Sequence, residues 1–153
     1  NTADILWVLF DMILLVLFGS TLSSIISFPL TTQGQLSAVG TIVSAGYGFL
    51  CGAYMPISNF GPGLQKALSY LPSTYATSLI KNHMLHGVFR EMERKHYSGE
   101  MVDVIKRTLD CNPVFHGNVV SINQMIGIMM GSIAVFGIIY YVVTLLSAGE
   151  GRR

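Results

Sequence analysis

The first long uncharged segment of this chain begins with MILLVLFGSTLSSIISFPLTTQGQL, residues 12–36, and continues without a charged side chain to residue 65. A second uncharged segment covers residues 111–149. A solvated surface carries a charged residue every few positions. Segments of 54 and 39 uncharged residues are therefore not typical of a soluble domain of this size. The pattern predicts membrane spans on both sides of a charged segment.

The composition supports the same class of protein. Only 11% of the 153 residues are charged, against about 25% in average proteins, and 51% are hydrophobic. A net charge of +1 provides no basic surface, which argues against nucleic acid as a partner. The hydrophobic content is too high for a disordered chain. The composition therefore predicts an all-α integral membrane protein.

Three segments are apolar and long enough to cross a bilayer core of about 30 Å as helices: residues 5–28, 36–54 and 122–146. Pro29 is expected to end the first span, and a short polar connection then leads to the second. We therefore predict three transmembrane helices.

The second span carries small residues at every fourth position: Gly40, Ser44, Gly48 and Gly52. This spacing places them on one helical face, where backbones can approach closely. The face is expected to pack within the chain; a contact with a second copy and a substrate path are the alternatives.

Residues 57–87 contain two apolar runs that are too short to cross a membrane, which favours a re-entrant or interfacial helical pair. Pro56 is expected to stop the second span, and Pro72 to separate the two helices of the pair. We assign both prolines to this re-entrant, gating part of the chain.

Residues 88–118 hold most of the charge and are predicted to form an extramembrane loop. Within the loop, Met101, Val104 and Ile105 recur at helical spacing, and Ser98 is a suitable N-cap. The pattern predicts a short amphipathic helix on the membrane or on the protein's own surface.

No motif for catalysis or cofactor binding is present. The sequence has neither a GxxxxGK[ST] phosphate loop nor a GxSxG nucleophile motif, so we predict no enzyme and no bound cofactor. His83 and His86 share a helical face, but zinc needs three or four converging ligands, so no metal is predicted. Cys51 and Cys111 are interpreted as free thiols, with a disulfide as the alternative.

Asp11 is the one ionisable residue inside a predicted span. Carboxylates in the membrane usually face a bundle interior or water and mark transport pathways. The alternatives are that Asp11 reaches the membrane interface or pairs with a polar group of a neighbouring span.

Two short elements follow one another within residues 48–87. An FxxGxxxP element is formed by Phe49, Gly52 and Pro56, and a PxxY element by Pro72 and Tyr75, ahead of a basic residue at Lys81. In this order the elements resemble the C-terminal half of the permease subunit of type-2 ABC exporters. Members of that family export drugs, antibiotics, polysaccharides and lipids.

The resemblance implies that the chain supplies the last three of six spans in a longer permease of the plasma membrane. It implies an extracellular re-entrant pair, a cytoplasmic C-terminus and a second permease copy. ATP and Mg would bind to a separate or fused ABC ATPase. Arg152 and Arg153 agree with this orientation, whereas the six Lys and Arg of residues 81–107 favour the opposite one.

The predicted function is therefore that of a permease that moves an amphiphilic drug, lipid or glycan across the membrane by alternating access. The alternative is a membrane anchor or assembly subunit without a transport role. The substrate pathway is predicted to include five residues: Asp11, Tyr47, Gly48, Gly52 and Tyr75.

Overall fold

The computed structural model describes residues 2–115 and 118–150, and this part of the chain is mostly helical. Its elements in chain order are α1 (Thr2–Ser27), α2 (Gln33–Leu50), a 3₁₀ helix (Ile57–Asn59), α3 (Pro62–Leu68), α4 (Pro72–Arg94), α5 (Gly99–Thr108), β1 (Val114–Phe115), β2 (Asn118–Val119) and α6 (Ile122–Glu150). The two strands pair antiparallel, with Val114 opposite Val119. An all-α fold fits this architecture, to which the strands add one two-residue hairpin.

Local sequence signals account for where several helices begin. Thr32 and Gln35 form a capping box at the start of α2, and the Ser98 side chain accepts from the Met101 amide at the start of α5. Pro62 and Pro72 begin α3 and α4, where the missing amide hydrogen costs nothing. The predicted amphipathic helix and the predicted break at Pro72 are both confirmed.

Two expected boundaries differ from the structure. The second apolar segment ends its helix at Leu50 and not at Pro56, because Gly52 adopts a left-handed conformation and closes the helix there. α4 continues through Gly87 to Arg94, beyond the expected end of the re-entrant pair. A single glycine weakens a helix by only about 1 kcal/mol, which the surrounding residues of α4 tolerate.

The core lies where α1, α4 and α6 pack against one another. Phe18 of α1, Leu79 of α4 and Met125 and Met129 of α6 are almost fully buried there. A second, smaller cluster of Phe89, Val102 and Cys111 holds α5 against α4. α2 contributes no buried residue to either cluster.

Within the described residues, two helices are long and apolar enough to cross a membrane: Thr2–Ser27 and Ile122–Ser147. Of the most apolar 18 residues in each, only 17% and 6% are buried inside the protein. A core helix of a soluble protein would be mostly buried, so these exposed apolar faces favour contact with lipid.

Candidate functional site

A buried carboxylate connects the first helix to α4. Asp11 on α1 is only 1% exposed, and its Oδ2 atom lies 2.6 Å from Nδ1 of His83 on α4. The His83 side chain is itself 12% exposed. Asp11 therefore pairs with a polar group of α4, a helix that was predicted as part of the re-entrant pair and not as a span, and its place in a substrate pathway stays a prediction.

A second pair of the same kind lies nearer the helix ends. Asp4 Oδ1 is 2.8 Å from His86 Nδ1, and an Arg90 guanidinium nitrogen is 3.3 Å from the same His86 atom. The His86 side chain is 51% exposed, so water screens this pair far more than the inner one. The two pairs together show that α1 and α4 run antiparallel.

The spacing of the four residues along their helices explains why both pairs form. Asp4 and Asp11 are separated by two helical turns, and His83 and His86 by about one turn, so each set lies on one face. When the two faces meet, each carboxylate lies beside one imidazole. In the sequence these histidines were considered only as metal ligands, so this role was missed.

An aromatic side chain covers the inner pair. The Trp7 indole stacks on the His83 ring, with centroids 5.5 Å apart and planes 19° from parallel. The Phe10 ring meets the edge of Trp7 at 5.9 Å. The imidazole of His83 is thus held between the Asp11 carboxylate and the Trp7 indole.

The second oxygen of the buried carboxylate has a different environment. Asp11 Oδ1 is buried and forms no hydrogen bond with any residue that the structure describes. A buried oxygen without a hydrogen-bond partner is costly, so each such atom in a native protein needs an explanation. Asp11 Oδ1 is therefore available to accept a hydrogen bond from a water molecule or a ligand.

Further polar groups are buried along the first two turns of α4. Ser73, Thr74 and Ser78 are all at most 2% exposed, and the Thr74 hydroxyl donates to the Leu68 carbonyl at 2.9 Å. Together with Asp11 and His83 they form what we call the polar seam of α4. Asp11 and His83 lie where α1 packs against α4, whereas Thr74 and Ser78 line a cleft that α4 forms with the 3₁₀ helix, α3 and residues 107–114.

Tyr47 and Gly48 lie away from Asp11, on α2. The Tyr47 ring stacks on Phe18 of α1 at 6.5 Å, and both Tyr47 and Gly48 line a cleft of about 450 Å³ between α1 and α2. A Cβ at Gly48 would approach the Tyr54 ring to 2.4 Å, so a larger residue there requires Tyr54 to move.

Gly52 has a local structural role at the end of α2. Its φ angle is +77°, and the amides of Gly52 and Ala53 donate to the carbonyls of Phe49 and Gly48, as in a Schellman motif. The Lys81 ammonium group of α4 donates to the Gly52 carbonyl at 2.9 Å. Gly52 thus ends one helix and anchors it to another.

Pro56 and Pro72 both lie where a helix begins. Pro56 caps the 3₁₀ helix, whose first amide, that of Ile57, donates to the Asp110 carboxylate. Pro72 is the first residue of α4. Pro56 therefore precedes the predicted pair and Pro72 separates its two helices; their gating role stays a prediction.

Tyr75 is buried in the main core, where it is 3% exposed. Its hydroxyl donates to the Ser69 carbonyl at 2.5 Å, and burial raises the pKa of Tyr75, so the hydroxyl is held as a donor. The structure brings Tyr75 and Tyr47 to one hydrophobic cluster with Phe18. Asp11 is outside that cluster.

Within the described residues, no group of three or more His, Cys, Asp and Glu side chains could hold a metal ion. Cys51 and Cys111 are both free and buried. Burial raises the pKa of the Cys111 thiol, which makes it a weak nucleophile at neutral pH. Arg152 and Arg153, on which the predicted orientation depends, lie outside the described residues.

No family model, curated protein or solved structure matches this chain.

Proposed function

We propose that this chain is the membrane-spanning permease part of an ATP-driven exporter of an amphiphilic drug, lipid or glycan. The proposal rests on the polar seam of α4, and above all on the buried Asp11 carboxylate that pairs with His83. Ionisable and polar groups inside a membrane are costly, and where they occur they usually line a path for ions or substrates. The exporter family enters the proposal because the FxxGxxxP and PxxY elements of residues 48–87 resemble those of its permease subunits.

The polar seam also favours a role in transport over a role as a membrane anchor. A membrane anchor needs only apolar helices, because lipid and apolar side chains satisfy each other. α1 and α6 would meet that need without α4. A third long helix with buried Ser, Thr and His side chains has a cost that anchoring does not explain, whereas a substrate path does.

In the proposed exporter, α1, α2 and α6 are the three spans, and α3 with α4 is the re-entrant pair near the outer mouth. The chain works with a second permease copy and with an ABC ATPase that binds ATP and Mg. ATP-driven switching between two packings of the helices would open the path to each side in turn. Its place is the plasma membrane, with the C-terminus in the cytoplasm.

The exposed state of α2 favours the alternative, a non-transporting anchor or assembly subunit. α2 buries no residue, and a Cβ at Gly40 would meet open space. The small-residue face of α2 meets α1 only across an open cleft, and such a face is suited to hold another membrane protein. In that case Asp11 and His83 serve only to join α1 to α4.

ATP-dependent transport of a fluorescent amphiphile into inverted membrane vesicles, made from cells that express the parent protein, tests the proposal. We expect uptake with ATP and a stoichiometric ATPase after purification in mild detergent. Asp11→Asn keeps the side-chain size and removes the charge, and it should abolish uptake while membrane insertion stays normal. Asp4→Asn, at the exposed pair, is the matched control and should retain uptake.

Two results would favour the anchor. One is the absence of any ATPase, separate or fused, from the purified parent protein. The other is equal uptake by wild type and Asp11→Asn, because a path residue cannot lose its charge without effect.

A further inference from the structure

A cavity of about 810 Å³ lies apart from the Asp11 pair, on the side of the core where α3 ends and α6 begins. Its walls come from the end of α3, the first turn of α4, the β-hairpin with the residues after it, and the first turns of α6. Its volume is within the range of about 300–1,000 Å³ that is usual for small-molecule sites.

One wall of the cavity is aromatic. Tyr70, Tyr75 and Phe115 all line it. The rings of Tyr70 and Phe115 meet edge to face, with centroids 5.3 Å apart, and the Tyr75 hydroxyl is tied to the Ser69 carbonyl. These contacts fix the rings against one another and present a rigid apolar surface to a ligand.

Two carboxamides, Asn118 and Gln124, also line the cavity. The Gln124 Oε1 atom accepts from the amide and the hydroxyl of Ser121, at 2.9 and 3.1 Å. The amide plane of Gln124 is therefore oriented by its own helix start, and its Nε2 group is left as a donor for a ligand. None of the described residues that line the cavity is charged.

We propose that this cavity binds an uncharged amphiphile. Its apolar body would lie against the three rings, and a hydroxyl or carbonyl oxygen would accept from Gln124 or Asn118. A charged head would lose its hydration here without finding an opposite charge among the described lining residues, which disfavours ionised ligands. The apolar stretch of α6 begins at Ile122, beside the rim, so the ligand's head would lie at the water–lipid boundary.

The cavity deepens the proposed function by giving the exporter's substrate class, and only the claim that the ligand is transported rests on that function. Binding itself needs neither ATP nor a partner ATPase. The experiment therefore measures binding and export separately.

The chain offers a matched pair of variants. Gly127 lines the cavity and Gly131, one turn further along α6, does not, and a Cβ at either position would meet no atom within 4 Å. Gly127→Leu therefore fills the cavity without a clash at Cβ, and Gly131→Leu adds the same bulk elsewhere on the same helix. Any general effect of a leucine in α6 appears in both.

The probe is a monoacylglycerol with a diazirine in its acyl chain, cross-linked by light to the parent protein in lipid nanodiscs. Mass spectrometry should find the label on peptides that contain Tyr70, Phe115 or the start of α6. We expect Gly127→Leu to reduce this labelling at least about fivefold, which corresponds to about 1 kcal/mol of binding. Gly131→Leu should label like wild type, and the matching diazirine fatty acid, which is anionic, should label less.

Equal labelling of both variants, or label spread over the lipid-facing sides of α1 and α6, would overturn the proposal and indicate bulk lipid only. A change of oligomeric state in Gly127→Leu without loss of label would also overturn it, because the groove would then be a contact between copies. Specific labelling without ATP-dependent export would leave the site standing and remove the exporter. If Gly127→Leu leaves ATP-dependent export intact and no label is found in the cavity, the exporter proposal stands and the binding site is overturned.

Discussion

Two helices of this chain, α4 and α2, have opposite environments. α4 buries seven of its residues, among them Ser73, Thr74 and Ser78, whereas α2 buries none. Their charge would suggest that α2 is the more buried helix, because α2 is free of charged residues and α4 ends in a charged run. Burial here depends on neighbours: α4 lies between the two most apolar helices, and α2 lies beside them.

The comparison shows that the burial of a helix inside this protein does not follow from its content of charged residues. Other parts of the chain cover the polar residues of α4, because α1 lies against His83, and α3 with residues 107–114 lies against Thr74 and Ser78. α2 has no such shield, and lipid or another protein must form its surroundings. Three pairs of variants can break or sharpen this contrast.

The largest effect is expected for a cavity in the helix that is buried. Leu79 of α4 is 1% exposed in the main core, so Leu79→Ala should lower the free energy of unfolding by about 3 kcal/mol. Ile42 of α2 is 72% exposed, and Ile42→Ala should change it by less than about 0.5 kcal/mol. Unfolding of the purified protein in mixed micelles measures both.

Equal losses in the two variants would remove the contrast between the helices. They would mean that α2 is packed as tightly as α4 in the micelle, through contacts with a second copy or another chain.

The second effect concerns the ties between α1 and α4. Asp11→Ala leaves His83 without its partner in a nearly closed site, and it should lower the free energy of unfolding by about 2 kcal/mol. Asp4→Ala removes the corresponding atom from the exposed pair and should leave the stability near that of wild type.

Trp7, the only tryptophan in the chain, adds an optical measurement at the inner pair. Because its indole stacks on His83, Asp11→Ala should change its fluorescence, and Asp4→Ala should change it less. If the two variants behave alike in both measurements, the burial of the inner pair has no energetic consequence and the polar seam loses its significance.

The sequence was sufficient to predict the elements that depend on local composition. The uncharged runs predicted α1 and α6, the prolines predicted the break at Pro72, and Ser98 predicted the start of α5. Each of these signals lies within a few residues of the structure it produces. The second predicted span, residues 36–54, stays a prediction, because α2 is not among the described helices that are apolar enough to cross a membrane.

The polar seam could not be predicted in the same way. Asp11 and His83 are 72 residues apart in sequence, and their contact depends on how two helices align. Their spacings, seven residues between the aspartates and three between the histidines, were visible in the sequence. Those spacings place each set on one face, but only the packing of α1 against α4 shows that the two faces meet.

The smallest effect concerns the small residues of α2, which the sequence spacing placed together on one helical face. Gly40 lies inside the helix with open space around it, so Gly40→Ala should stabilise α2 or leave it unchanged. Gly52 has a φ angle of +77°, and a Cβ there would lie 3.0 Å from the Ile57 side chain. Gly52→Ala should therefore lower the free energy of unfolding by about 1 kcal/mol.

Thermal unfolding of both variants in the same detergent measures the two changes in stability. If only Gly52→Ala is destabilising, a glycine is required at the end of the helix and is not required at position 40. Equal losses would mean that both glycines lie in one close helix contact. In that case α2 packs against another chain through this face, and its exposure here describes only a single copy.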